Sequence, residues 1–318
     1  MYKFNISKTK NLFACCLALL DNDAPNIKQS WRKQLNRLTR EDWASVKWLK
    51  NNLQQELAHP DLIFTARNDR EVWGIMNKIS RRGELEKFRQ SSLKISKKLG
   101  GIWYDIKDSL GNTKKYLNKN ETIMNQTAQS ISNLTATDND KIKNTPVHLM
   151  LNFHDLNNWA GWFSYTPKNQ SIVLEAALKT SAKNLFPLAI FCHEIFHLEI
   201  RRNHGLYQLI KKTAGENSNL IKEVGYKNGN PSMILEELIV SSFIPEGYLG
   251  QKYYSLSLKK ISGDIKPSKD LLQFSKTRKQ CAYIMRDIAR KYTINKRPID
   301  KNYIDELIGR IREKINKG

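Results

Sequence analysis

Between Pro187 and Gly205 the chain carries an apolar segment, Leu188–Ile200, interrupted by His193, Glu194, His197 and Glu199. Leu188, Ala189, Ile190, Phe191, Cys192, Ile195, Phe196, Leu198 and Ile200 leave no polar face, so a helix here is a buried one. Pro187 fits its first turn and Gly205 its exit. Two imidazoles and a carboxylate inside such a helix are poorly satisfied unless a metal or several hydrogen bonds meet them. Residues four apart lie ~40° apart around the axis and one turn along it, so both imidazoles can reach one ion. Glu194, beside the first histidine, stands at the rim of the same site, where it can take a proton from a metal-bound water. Zinc is the natural ion, since it accepts imidazole nitrogen in tetrahedral geometry and lowers the pKa of its water to ~7.

Two histidines do not hold a catalytic zinc alone, so a third ligand is required. The metzincin extension H-E-x-x-H-x-x-G-x-x-H is absent: Ile200 stands at the glycine position, Asn203 at the histidine position, and His204 comes one residue late. His204 reads instead as a residue near a helix C-terminus, favoured by the dipole. A second apolar segment, Ile234–Phe243, contains the adjacent carboxylates Glu236 and Glu237. A buried pair of glutamates is costly through desolvation and mutual repulsion unless a cation is near. Either could supply the third ligand.

An H-E-x-x-H helix followed by a glutamate on a later helix resembles the zincin metallopeptidases of the gluzincin type. Glu236-Glu237-Leu238 is locally similar to the Glu-Glu-Leu of clostridial neurotoxin light chains, of some secreted bacterial effector proteases and of plasmid antirestriction proteins. The resemblance spans about residues 147–250 and is specific at the ligands. It implies a zinc-dependent peptidase with His193 and His197 as ligands and Glu194 as general base. The neurotoxin-like pattern points to Glu236 as third ligand. The thermolysin-like pattern, with a polar residue four positions on, points to Glu237 with Ser241. The balance falls slightly to Glu236, with Glu237 as its supporting neighbour or substitute. The resemblance also implies that Gly161, Trp162, Phe163, Ser164 and Tyr165 form an edge strand for an extended substrate peptide, and that a Tyr, His or Arg stabilises the oxyanion. Tyr248, Tyr253 and Tyr254 are candidates by position, whereas His59, His148 and His154 read as structural or exposed.

The rest of the chain predicts a mainly helical α+β protein. Thr39 with Asp42 reads as a helix start, with Trp43, Val46, Trp48, Leu49 and Leu53 following at helical spacing and His59-Pro60 ending the helix. Further helices are expected over about 69–98 and 102–134, the latter with an interruption at Gly111-Asn112. Residues 135–144 read as a linker. Val147–Phe153, with apolar odd positions, reads as a strand. Residues 161–165 and 171–175 read as a hairpin turned by Thr166–Gln170. The expected segments are a basic helical region (1–134), a linker (135–145), a zincin-like core (146–250) and basic C-terminal helices packing on it (251–318). In those helices Leu271, Leu272, Phe274, Tyr283, Ile284, Ile288, Ile304, Ile308 and Ile311 are expected on packing faces.

Composition adds limits. Hydrophobic residues make up 40% of the 318 and charged ones 26%, enough to bury a core. The four cysteines contain no Cys-x-x-Cys pair, which excludes a disulfide scaffold and points to a reducing compartment. No apolar run approaches the ~20 residues a spanning helix needs. The nine residues Leu12–Leu20 loosely resemble a short signal peptide, but Asp21 and Asp23 follow at once, so a buried first helix is expected. A cytoplasmic location is therefore expected, with an exported or delivered effector as the alternative. The net charge is +22: residues 1–150 hold 26 basic and 15 acidic side chains, 151–250 nine of each, and 251–318 eighteen and seven. A neutral middle between basic flanks leaves a second reading, a nucleic-acid or nucleoprotein binder with an auxiliary zincin core.

Overall fold

A computed structural model describes residues 2–19, 29–56, 61–64, 66–79, 84–138, 140–165, 170–179, 185–226, 229–257, 265–268 and 270–315. The chain is mainly helical with one small sheet, an α+β architecture. It divides into two units, each built from two stretches: Met1–Lys119 with Asn144–Asn184, and Asn120–Lys143 with Leu185–Gly318. These units do not follow the linear division expected from the sequence. The sheet falls in the first unit and the His193 helix in the second.

The first unit holds strands β1 (Lys3–Ile6), β2 (Pro146–Leu151), β3 (Ala160–Tyr165) and β4 (Gln170–Ala176), in the order β1-β2-β4-β3. The hairpin expectation is met: β3 runs antiparallel to β4, with Trp162 opposite Val173. Its turn, 166–169, lies outside the described residues. β2 runs parallel to both β1 and β4. It is buried along nearly its whole length, so its alternation does not mark one wet face. This unit also holds helices α1 (Lys8–Leu19), α2 (Arg40–Glu56), α3 (Asp69–Ile79), α4 (Glu84–Lys98) and α5 (Gly100–Lys119), with one-turn helices at Arg32–Leu35 and Asp61–Phe64. The start of α2 is the reciprocal cap read from the sequence: Asp42 N donates to Thr39 Oγ1 at 3.2 Å and Thr39 N to Asp42 Oδ2 at 3.0 Å. The expected stop at His59-Pro60 lies outside the described residues.

The apolar run near the N-terminus forms α1, which buries Phe13, Cys15, Cys16, Ala18 and Leu19. Asn11 ties α1 to the sheet by accepting from Leu151 N at 3.0 Å. His148 is structural, as expected: it is buried, and its Nδ1 lies 2.9 Å from the buried Lys10 Nζ. His154 is exposed, and His59 lies outside the described residues. All four cysteines are buried free thiols.

The second unit comprises α6 (Glu121–Thr135), α7 (Phe186–Arg202), α8 (His204–Glu216), α9 (Ser218–Val224), α10 (Pro231–Ser241), α11 (Tyr248–Tyr254), α12 (Leu271–Ile294) and α13 (Lys301–Ile315). The expected break near Gly111 is not there. Gly111 sits inside α5 with open space where a side chain would go, and the chain turns at Asn120 instead. The segment expected as a linker contains a one-turn helix, Asp140–Lys143, with Ile142 buried.

α7 is the buried helix the sequence predicted, with every residue from Leu188 to Ile200 except Ile190 buried, and Pro187 in its first turn. It ends at Asn203 rather than at Gly205, because the Asn203 side chain accepts from Leu206 N at 3.0 Å and so starts α8. α10 begins at Pro231, with the Asn230 side chain accepting from Ser232 N. The C-terminal helices pack within this unit: Phe243 stacks on Tyr303, with ring centroids 5.2 Å apart. Phe274, Ile304, Ile308 and Ile311 are buried as expected. Leu271 and Leu272 are exposed instead, because they open α12 at its outer end. No helix among the described residues is long and apolar enough to cross a membrane.

Candidate metal centre

Because α7 presents one face at Cys192, Phe196 and Ile200 and another at His193 and His197, its burial needs neighbours of two kinds. On one side Tyr254 donates to Thr127 Oγ1 at 2.7 Å and approaches Cys192 Sγ, an apolar seam closed by hydroxyls. On the other, α10 and the turn after it supply oxygens to both imidazoles.

His193 Nδ1 donates to the Ile244 carbonyl at 2.9 Å. His197 Nδ1 donates to Glu236 Oε1 at 2.8 Å. A carbonyl and a carboxylate can only accept, so both Nδ1 atoms carry a proton, and in the neutral rings Nε2 is the nitrogen free to bind a metal. The two Nε2 atoms lie 3.1 Å apart. Glu237 closes the group, with Oε2 2.9 Å from His197 Nε2 and Oε1 3.4 Å from His193 Nε2. One ligand atom from each of His193, His197 and Glu237 lies within 4.8 Å of the others. Metal–ligand bonds of ~2.0–2.1 Å at tetrahedral angles separate neighbouring ligands by ~3.3 Å, so these distances fit one small cation. At this spacing the Nε2 atoms and the carboxylate need a positive charge between them, which a proton on His197 or a metal ion in its place supplies.

The expected lean to Glu236 meets a different geometry. Successive helical residues diverge by about 100° around the axis, so only one of two adjacent carboxylates can face the Nε2 atoms. That one is Glu237. Glu236 is 1% exposed and turned to the outer nitrogen of His197, with Arg201 Nη2 2.9 Å from its Oε2. Ser241, four residues after Glu237, lies 3.5 Å from Glu237 Oε1.

Electrostatics follow from this enclosure. Burial raises the Glu194 carboxyl above the usual carboxylate range, opposed by the charges of His193 and His197. Burial would also raise Glu237, but His193 and His197 outweigh it and hold the group well below that range. Burial alone would depress His197, yet its bonds to Glu236 and Glu237 lift it to about 10.

Arg201, Arg278, Glu246 and the Ile244 carbonyl are parts of the site that the sequence reading did not single out. Arg201 stands four residues after His197, a spacing that was open to inspection. Arg278, 41 residues beyond Glu237, gave no signal among the other basic residues of its segment. Of the tyrosines considered, Tyr253 meets Ser130 at 2.9 Å and Tyr254 meets Thr127, so both hydroxyls are already engaged; Tyr248 is half-buried. His204 opens α8 and is exposed. Gly161, Trp162, Phe163, Ser164 and Tyr165 lie on β3, one of the two edge strands of the sheet in the first unit.

Comparison with protein-family models, with curated proteins and with solved structures yields no match to this chain.

Proposed function

We propose that this chain is a zinc-dependent metallopeptidase whose ligands are His193, His197 and Glu237. The supporting observation is the convergence of two Nε2 atoms and one carboxylate, the imidazoles held through Nδ1 by the Ile244 carbonyl and Glu236, and the carboxylate held by Arg278. A His-His-Glu donor set of two nitrogens and one oxygen is the kind that holds a catalytic zinc with a fourth position open. When bound, zinc supplies Lewis acidity and lowers the pKa of its water to ~7.

The chain's own residues account for the remaining chemistry. Glu194 is 6% exposed, adjoins His193 in α7 close enough to feel the charges of both histidines, and burial raises its pKa toward the working range of a general base. It takes a proton as water attacks the peptide carbonyl, holds it on the carboxylate, and returns it to the leaving nitrogen. Glu236 and the Ile244 carbonyl keep the two imidazoles in the tautomer that presents Nε2.

Glu194→Gln separates proton transfer from metal binding. Incubated with a mixture of unstructured peptides, the zinc-loaded wild type is expected to cleave internal bonds. The variant is expected to keep its zinc and lose ~10²–10⁴-fold in rate. Full activity in the variant would falsify the role of Glu194.

A further inference from the structure

Arg278 reaches the metal centre from α12 and spans two carboxylates. Its Nη1 donates to Glu237 Oε1, and its Nη2 lies 3.3 Å from Glu246 Oε1. Its Nε is buried with no partner among the described residues. A guanidinium held with one donor unpaired is costly, so its place depends on the two acids that grip its other side. The contact with Glu237 falls on Oε1, which Ser241 also approaches and which lies 3.4 Å from His193 Nε2, while Oε2 lies closer in, 2.9 Å from His197 Nε2.

The terminal torsion of a glutamate is broad and two-fold, so an untethered carboxylate can turn either oxygen, or both, toward a cation. Both oxygens on zinc would fill the position a water needs. A fixed N–H on Oε1 occupies one of its lone pairs and restrains that turn. An arginine this close to a cation is repelled by it, and Glu246 offsets the repulsion from the far side.

We infer that Arg278 is a positioning residue that anchors Glu237 through Oε1, so that Oε2 alone serves as ligand and one coordination position stays open. This rests on the metal centre proposed above. Arg278 acts through Glu237, not on the substrate. A planar fork bridging two carboxylates is a task lysine performs only in part, since an ammonium is a point donor.

The test uses the full chain loaded with Zn(II) or Co(II), as wild type, Arg278→Ala, Arg278→Lys and Glu246→Gln. Zinc affinity is read by competition with a chelating dye, and coordination number by the visible absorption of Co(II). Wild type is expected to show the intense bands of a four-coordinate ion. Arg278→Ala is expected to bind zinc ~10–100-fold more weakly and to show the weaker bands of higher coordination. Arg278→Lys should recover part of both, and Glu246→Gln should shift both in the same direction by less. Unchanged affinity and spectrum in Arg278→Ala overturn the inference, even if peptide cleavage falls, because the arginine would then act elsewhere than on Glu237. If Arg278→Ala does not fold, Glu246→Gln decides, and an unchanged spectrum there overturns it. A wild type that takes up no metal refutes the metal centre itself, a separate and earlier failure.

Discussion

Glu236 accepts a hydrogen bond from His197 Nδ1 at 2.8 Å, so the acid beside the proposed ligand acts on the metal site through a histidine. It is also the partner of Arg201, at 2.9 Å. Glu236→Ala removes the acceptor that fixes the ring and leaves Arg201 without its carboxylate. Zinc affinity is expected to fall ~10–100-fold. Glu236→Gln keeps an acceptor oxygen for Nδ1 and should lose less. Chelator competition reads both, and equal affinities in Glu236→Ala and wild type would contradict the arrangement.

Protons compete with the metal. His197 is lifted to about 10, above the ~6.5 of an unfolded histidine. Its proton therefore stabilises the chelator-stripped fold fully below ~6.5, and that contribution is lost as pH rises through about 10. Stripped protein should melt at progressively lower temperature from pH 7 to 10, while its zinc affinity tightens over the same window because the displaced proton is held less firmly. A melting temperature that climbs across that range would contradict the sign.

The turn after α10 carries the Ile244 carbonyl and Glu246, and it closes on itself at Gly247. A Cβ on Gly247 would collide with the carbonyl of Ser242, backbone that cannot swing aside. Gly247→Ala is expected to cost ~1–3 kcal/mol in chemical denaturation and to weaken zinc binding by displacing the acceptor of His193 Nδ1. Wild-type stability in that variant would show the turn to be looser than described.

Tyr303 offers a contrast remote from the ligands. Its hydroxyl lies 2.6 Å from Ser242 Oγ, which itself donates to the Ile239 carbonyl. Tyr303→Phe removes one buried hydrogen bond and keeps the ring stack on Phe243. The expected loss is ~0.5–1.5 kcal/mol, with zinc affinity unchanged. A large fall in zinc affinity would link α13 to the site more tightly than these contacts imply.

What the sequence made legible was local. The spacing of His193 and His197 fixes their shared face because an α-helix has a rigid period. The Thr39–Asp42 cap and the β3–β4 hairpin likewise depend on residues a few positions apart. The choice between Glu236 and Glu237 was not legible, since it turns on the rotation of α10 about its own axis, which packing against α7 decides. β1 was missed because four residues with one parallel partner, Lys3 opposite Pro146, carry no period of their own. Arg278 was invisible for the same reason: a long-range contact selects one basic residue from a segment full of them. The break at Asn120 rather than Gly111 shows that a glycine inside a long, otherwise regular helix need not end it.

The most direct test is the zinc content of wild type and Glu237→Ala, purified side by side and dialysed to constant composition. About one zinc per chain in wild type and close to none in the variant is the predicted result, since two imidazoles alone hold the ion poorly. A wild type devoid of zinc, or a variant that keeps its full complement, would contradict the claim that His193, His197 and Glu237 bind one ion together.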